Sequence, residues 1–345
     1  MSQITLEPGH HRFACDAEES ILTAALRAGL LIPYGCKSGA CGSCKARILS
    51  GAVRHGPYQP TTLSAAELAE GKALLCVAHP EGEVTVEARD VRKAGDLVVK
   101  TMPCRIESLE RATDDVMIVR FKLPANETLN YRAGQYIDFL LKDGKRRSFS
   151  IANPPHDAAL IELHIRHTPG GFFTDRLFGV STSPIKPRDI LRFEGAHGSF
   201  FLREESTKPI VLVASGTGFA PIKALVEHAL HIGSQRPMTL YWGGRRPKDL
   251  YLNDLAETWE RAHPSLVRYV PVVSEATDVD AWGGRTGFVH RAVMADFPDL
   301  SGHQVYACGA PIVVDSARAD FVSSCGLPEQ EFFADSFTLA AATSS

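Results

Sequence analysis

The stretch Tyr34-Gly35-Cys36-Lys37-Ser38-Gly39-Ala40-Cys41-Gly42-Ser43-Cys44 places three cysteines at C-x4-C-x2-C spacing in one short loop, and a fourth, Cys76, lies further on. The residues around the thiols are small: Gly35, Gly39, Ala40, Gly42 and Ser43. Small residues let backbone N–H groups come close to sulfur and stabilise negative charge there. Two irons sharing one small cluster need four converging thiolates, and a tight loop can supply three of them.

Working outward, Ile4-Thr5-Leu6 and Arg12-Phe13-Ala14 read as paired strands, and Ser20 to Ala28 as a capped helix. Lys45 to Leu49, Leu74-Leu75-Cys76 and Val84 to Ala88 read as further strands. A zinc site from Cys41-x2-Cys44 and Cys76-x2-His79 is the rival arrangement. It leaves Cys36 idle and the glycines unexplained. A Rieske centre lacks its C-x-H pairs. The loop resembles those of plant-type ferredoxin domains, and the resemblance spans about residues 1–92. It implies a β-grasp domain whose metal ligands are Cys36, Cys41, Cys44 and Cys76. Cys15, Cys104 and Cys325 have no such company and read as buried small apolar residues.

Val91 to Thr101 reads as a linker. From about 101 to 205, short apolar–polar alternations separated by turn residues predict an antiparallel barrel or sandwich: Val116 to Phe121, Tyr136 to Leu141, Leu160 to Ile165. Here lies Arg147-Ser148-Phe149-Ser150-Ile151-Ala152-Asn153. An Arg can clamp a pyrophosphate, an aromatic can cover a flat ring, and a Ser hydroxyl can reach a ring nitrogen. Downstream come His164-Ile165-Arg166 and then Gly170-Gly171-Phe172-Phe173-Thr174, which opens a helix and suits an anion. Together these resemble the flavin domain of the ferredoxin–NADP reductase superfamily. The resemblance implies FAD, with Arg147 on its pyrophosphate, Phe149 on the isoalloxazine and Ser150 near N5. Gly171 and Thr174 would take phosphate, and Ser148, His164, Ile165, Arg166 and Gly170 would line the site. Phe149 stands where Tyr is commoner in the superfamily.

From about 208 to 338 strands alternate with helices, the pattern of a parallel α/β sheet. Pro209 to Ala214, Met238 to Trp242, Val267 to Val273 and Gln304 to Ala307 read as strands. Ile222 to His231, Leu250 to Arg261 and Pro311 to Val322 read as helices, and Ser215 to Pro221 as a loop. Gly216-Thr217-Gly218-Phe219-Ala220-Pro221 follows the first strand, and Cys308-Gly309-Ala310-Pro311 ends a later one. Strand C-termini are where open α/β sheets bind ligands. Both motifs resemble the nicotinamide side of the same superfamily. Gly216, Thr217, Gly218, Pro221, Cys308 and Gly309 would hold the nucleotide, with Cys308 near the reacting nicotinamide carbon. Phe337 is the candidate for the C-terminal aromatic that covers the flavin. Arg245 or Arg246 could pair with a 2′-phosphate and Asp254 with a ribose hydroxyl. The likeness leans to NADH, with NADPH possible.

The chain has 345 residues, 44% hydrophobic and 22% charged, with 37 Lys and Arg against 40 Asp and Glu. A net charge of −3 offers no surplus to neutralise a phosphate backbone, so nucleic acid is not expected as a partner. No basic segment leads an apolar one at the start, and Ile21 to Ile32 is cut by Arg27 and too short to span a bilayer. No membrane association and a cytoplasmic location are therefore expected, and a disulfide framework is not. Ala340 to Ser345 reads as a frayed tail.

The expected architecture is a multi-domain α+β and α/β chain. It joins a β-grasp ferredoxin domain (1–92), an antiparallel flavin-binding barrel (101–205) and a Rossmann-like parallel-sheet NAD domain (208–338). This order resembles the reductase components of bacterial multicomponent oxygenases and the CDP-6-deoxy-Δ3,4-glucoseen reductases. The likeness to the second group is stronger at Arg146 to Pro155, Gly170-Gly171, Val213 to Pro221 and Phe332 to Thr338. It implies an electron-transfer oxidoreductase with Ser150, Cys308 and Phe337 at the hydride step. Its partner would be a separate acceptor protein, a sugar dehydratase or a terminal oxygenase. Lys37, Lys45 and Arg47 near the cluster suit an acidic partner or plain solvation. A non-enzymatic redox sensor or zinc-bearing adaptor is the reading of another class.

Overall fold

The computed structural model describes residues 1–60, 62–93, 95 and 99–337. The expected tail, Thr338 and part of the expected linker lie outside the described residues. By their contacts the described residues form two units. One holds the N-terminal region with residues 198–200 and 335–337; the other holds residues 99–197 and 201–334.

In the first unit β1 (Ser2–Glu7) and β2 (His11–Cys15) pair antiparallel. Alternation drives the pairing: Ile4, Leu6, Phe13 and Cys15 are buried while their neighbours are more exposed. Ser20 starts α1 (Ile21–Arg27) by accepting the Thr23 N–H at 3.2 Å. There follow β3 (Leu30–Leu31), β4 (Lys45–Ser50), β5 (Val53–His55), α2 (Ala65–Ala69), β6 (Lys72–Leu74), β7 (Ala78–Pro80), β8 (Val84–Glu87) and β9 (Arg92–Lys93). The main sheet runs β2-β1-β8-β4-β6, with β1 and β8 parallel and the other pairs antiparallel. This is the β-grasp arrangement. The linker is shorter than expected, because β9 pairs with β3. The strand expected through Cys76 ends at Leu74. The Val77 N–H closes a turn on the Leu74 carbonyl at 3.0 Å, and the Leu75 N–H donates to the Cys44 carbonyl at 3.1 Å. The turn carrying Cys76 is thereby tied to the loop carrying Cys44.

The second unit begins with β10 (Lys100–Arg111), β11 (Val116–Lys122), β12 (Tyr136–Leu140), β13 (Arg146–Ser150), β14 (Ile161–Arg166), α3 (Phe172–Leu177) and β15 (Ile190–His197). These strands run β13-β12-β15-β10-β11-β14, all antiparallel, and a bridge between Ile151 and Leu163 links the two ends into a barrel. Phe121, Phe139 and Phe193 fill its interior, with Phe121 centroids 6.0 and 5.4 Å from the other two.

The rest of this unit is β16 (Ile210–Ser215), α4 (Phe219–His231), β17 (Met238–Gly244), α5 (Asn253–Ala262), β18 (Val267–Val273), β19 (Arg285–Thr286), α6 (Val289–Asp296), β20 (Gln304–Gly309), α7 (Pro311–Ser324) and β21 (Phe332–Ser336). The order is β19-β18-β17-β16-β20-β21. Every residue from Ile210 to Ala214 is buried, as a parallel strand covered on both faces must be. The stretch expected as a loop, Ser215 to Pro221, is mostly helical: a 3-10 turn spans Gly216–Gly218 and α4 starts at Phe219. Pro221 is accommodated because the first helical turn has no use for its missing N–H. The helix expected from Leu250 begins at Asn253, after a 3-10 turn at Pro247–Asp249.

Candidate functional site

The four thiols of the first unit come as two pairs, Cys36 with Cys41 and Cys44 with Cys76, each in hydrogen-bonding contact. Among the described residues, the one trio of potential ligand atoms lying within 4.8 Å of each other is Asp138, Glu194 and His197. Two thiol pairs suit two irons; a single tetrahedral zinc needs all its ligands around one point. The N–H groups of Ser38 and Ala40 each point at the Cys36 sulfur, and that of Cys36 at the Cys41 sulfur, all at 3.4 Å. The hydrogen bond with Cys41, helped by the backbone amides, brings the Cys36 thiol down to about 5 against the cost of burial. Cys41 goes up, through that same bond and burial. Gly39 makes the tight turn possible: its φ is +72°, and a Cβ there would stand 2.7 Å from the Tyr58 Cβ. The donor set and its amide cradle fit a 2Fe–2S cluster.

On the barrel, β13 aims alternate residues to opposite faces. Arg146 pairs with Glu194, and Ser148 donates to Asp138 at 2.6 Å. Arg147 has no carboxylate partner among the described residues; its guanidinium donates to the Arg146 carbonyl at 2.8 Å. An arginine left unpaired beside a doubly engaged one is available to a phosphate. Phe149 is half-buried against Phe139 and Phe173, centroids 6.0 and 5.5 Å away, and Ser150 is buried. These features fit a flavin nucleotide. Two expected site residues are engaged elsewhere. The Thr174 hydroxyl donates to the Thr168 carbonyl at 2.8 Å. The His164 ring is buried, with both nitrogens in use: Nε2 at 3.0 Å from Glu162 and Nδ1 at 2.9 Å from the Tyr251 hydroxyl. Ile165 belongs to the barrel core.

In the sheet the chain lays strands on one side of β16 up to β19, then returns to the other side at β20. The crevice at the C-terminal ends of β16 and β20 is thus the topological switch point. The two expected motifs meet there. A Cβ on Gly218 would stand 2.1 Å from the Cys308 carbonyl oxygen, so only glycine allows this approach. The Arg166 guanidinium lies against Gly216, 2.9 Å from where a Cβ would be. Arg246 at the end of β17 is taken up by Asp280 and Thr277, both at 2.9 Å. Arg245 lies 3.5 Å from Asp249. Phe337 is half-buried and groups with the first unit.

A buried charge cluster, absent from the sequence reading, joins the barrel to the sheet inside the second unit. Arg120 and Lys223 approach Glu162 at 2.8 and 3.3 Å, and Lys223 also meets Glu227 at 2.9 Å. Burial alone would push Glu162 up, but the His164 hydrogen bond and the two cations hold it well below the usual carboxylate range. Burial lowers His164, which is therefore neutral at pH 7. Its Nε2 must donate to the ionised Glu162, so Nδ1 accepts and Tyr251 donates. The visible signal for this cluster was Lys223 itself, a lone cation in the apolar run Phe219 to Val226.

Residues 4–81 match the 2Fe-2S iron-sulfur cluster binding domain, residues 103–202 the oxidoreductase FAD-binding domain and residues 212–319 the oxidoreductase NAD-binding domain. The chain is 40% identical to the CDP-6-deoxy-L-threo-D-glycero-4-hexulose-3-dehydrase reductase of Yersinia pseudotuberculosis, over 97% of this chain and 98% of that one. It is 34% identical to the terephthalate 1,2-dioxygenase reductase component 1 of a Comamonas species, over 97% of each. The crystal structure of the Amycolatopsis cytochrome P-450 reductase GcoB superposes with a TM-score of 0.78 at 31% identity, covering 99% of this chain and 100% of that one. The chain belongs to the family of iron–sulfur flavoprotein reductases that includes the dehydrase reductases and the oxygenase reductase components. It is an oxidoreductase with 2Fe–2S, FAD and NAD-binding domains in that order, and it passes electrons from NAD(P)H through FAD and the cluster to an acceptor. The zinc-adaptor and sensor readings fall away. Among the described residues, no helix is long and apolar enough to cross a membrane.

Proposed function

We propose that this chain is the NADH-dependent reductase of a sugar-nucleotide dehydrase of the CDP-6-deoxy-hexulose type, working in the cytoplasm. The observation that carries the reading is the 40% identity to the Yersinia reductase along nearly the whole of both chains. Eight free cysteines suit a reducing compartment. When bound, the flavin accepts a hydride, and the cluster relays its electrons one at a time to the partner. The chain's own residues bind and orient. Arg147, unpaired on β13, holds the pyrophosphate; Phe149 covers the ring; Ser150 reaches toward N5. Gly171, whose N–H donates to the Thr168 carbonyl at 2.9 Å, shapes the turn that takes phosphate, with Ser148 and Gly170 beside it. Thr174 braces that turn through Thr168, and His164 and Ile165 contribute backbone only. Arg166, Gly216, Thr217, Gly218 and Pro221 take the nicotinamide nucleotide together with Cys308 and Gly309, and Phe337 covers the flavin. Cys36, Cys41, Cys44 and Cys76 hold the irons. Arg246 is paired with Asp280 and Arg245 lies beside Asp249, so each cation near the end of β17 already faces a carboxylate, which favours NADH.

An oxygenase partner is the second reading, favoured by the Comamonas reductase and the GcoB structure. The test supplies the purified protein with NADH and, in parallel, the hexulose-3-dehydrase or the terephthalate oxygenase component. NADH consumption coupled to dehydrase product supports the proposal; coupling to the oxygenase alone reverses it.

A further inference from the structure

Helix α4 is apolar from Phe219 to Val226 except at Lys223, which is buried at 8% exposure. Its ammonium group makes two hydrogen bonds and one further ion pair. It donates to the Ala152 carbonyl at 3.2 Å and to Glu227 at 2.9 Å, and it lies 3.3 Å from a Glu162 oxygen. Ala152 is two residues past Ser150, the end of the flavin strand, and Lys223 two past Pro221 in α4, the helix that the nucleotide motif opens. Glu162 is itself fixed to that strand end: its carbonyl accepts the Ala152 N–H at 2.8 Å, and its N–H donates to Asn153 at 2.9 Å. A second strut, Tyr251 to His164, runs alongside. Tyr251 is wedged edge-on against Trp242 and Phe219, whose rings stack at 3.7 Å. The Trp242 indole N–H donates to the Gly216 carbonyl at 3.0 Å.

We propose that Lys223 is a positioning residue that sets the spacing between the flavin strand and the glycine turn that opens α4, and with it the distance over which hydride passes. The inference rests on the hydride-transfer reading given above. The Lys223 ammonium is engaged by protein groups, so it acts through Ala152 and the start of α4. Replacing buried ion pairs by apolar groups is often neutral for stability, whereas two directional hydrogen bonds and an ion pair from one nitrogen fix a separation. Hydride transfer is sensitive to that separation because the reacting atoms must approach to within van der Waals contact.

The test uses the full chain with FAD and cluster in place. Flavin reduction by NADH is followed by stopped flow, with unlabelled NADH and with NADH deuterated at the transferred position. Lys223→Met is expected to lower the limiting rate about 10- to 100-fold, with little change in the NADH dissociation constant. Its deuterium isotope effect should become more temperature-dependent. Lys223→Arg should recover part of the rate, and Tyr251→Phe should show a smaller loss of the same kind. An unchanged limiting rate and isotope effect in Lys223→Met would overturn the inference. So would a rate loss that only tracks lost FAD or lowered Tm. If Lys223→Met does not fold, the same readouts on Lys223→Arg and Tyr251→Phe decide it. Failure of the unmutated protein to reduce its flavin with NADH is seen at the first measurement, and sinks the function reading and this inference with it.

Discussion

Gly218→Ala separates geometry from binding chemistry, because it adds one methyl group and nothing else. The new Cβ would lie 2.1 Å from the Cys308 carbonyl oxygen and 2.7 Å from the Gly309 nitrogen. Both are backbone atoms, so no rotamer change relieves the clash. Opening those contacts to an ordinary separation moves the two loops apart by about 1 Å, and a displacement of that size at a reacting pair costs about 100-fold in rate. Overpacking of this kind also costs about 1–3 kcal/mol of stability. The assay is steady-state NADH:ferricyanide reduction, normalised to flavin absorbance, with Tm measured alongside. Gly302→Ala is the control, since a Cβ at Gly302 meets nothing within 4 Å. Gly218→Ala is expected to lose most of its kcat/KM while retaining FAD and cluster absorbance; Gly302→Ala should match the unmutated protein. A Gly218→Ala protein with full flavin and kcat/KM within about twofold of normal would refute the assignment of the crevice.

Three further outcomes follow from the same geometry. Cys36→Ser, Cys41→Ser, Cys44→Ser or Cys76→Ser should abolish the visible cluster absorbance and electron delivery to the acceptor protein. NADH:ferricyanide activity should survive, because it draws on the flavin alone; equal loss of both activities would contradict the cluster's place in the relay. Asp280→Ala releases the Arg246 guanidinium, which is expected to raise kcat/KM for NADPH about tenfold, the worth of one charge-assisted contact. No gain in comparative NADH and NADPH kinetics would exclude Arg246 from the ribose site. Glu162 titrates below its ordinary 4.5 in the folded state, so its contribution to stability is complete above pH 4.5 and is lost as pH falls toward the lowered value. In Lys223→Met that lowering is partly removed. The Tm gap between the two proteins should therefore be widest near neutral pH and narrow on acidification; a gap independent of pH would contradict the ion pair.

Elements with strong periodicity were legible from sequence. Ile161–Arg166 and Val116–Lys122 alternate because one face of each lines the barrel, and Ile210 to Ala214 is continuously apolar because both faces are covered. The thiol loop was legible because metal chemistry demands both the residue type and the spacing. What misled was punctuation. Gly216, Gly218 and Pro221 look like a loop, yet the chain coils there because glycine permits close approach to Cys308 and Pro221 falls in a first turn. Leu75 and Cys76 look like strand, yet the chain must turn to present the thiol. The buried cluster could not be read at all. Lys223 and Ala152 are 71 positions apart, and His164 and Tyr251 are 87. No local pattern encodes contacts made only by closure of the tertiary structure. Thr174 and His164 were misread for a nearer reason: the fold uses their side chains for its own bonds, with Thr168 and with Glu162 and Tyr251.

The two cation–carboxylate sets on the nucleotide side have opposite consequences, and burial is the reason. Arg246 and Asp280 are paired where solvent reaches them, with side-chain exposures of 37% and 16%. Water and salt screen that pair, so its net worth is small and a dianionic 2′-phosphate could compete for the guanidinium once Asp280 is gone. Lys223, Glu162 and Glu227 interact at side-chain exposures of 10%, 11% and 24%. There each charge is costly to leave unpaired, so the set holds together or fails together. An exposed pair can thus be exchanged for a ligand and serve as a selector, while a buried one cannot be exchanged and serves as a spacer. Arg246 stands two residues past the end of β17, where we propose that the choice of nucleotide is made. Lys223 stands near the start of α4, behind the glycine turn proposed to carry the nicotinamide.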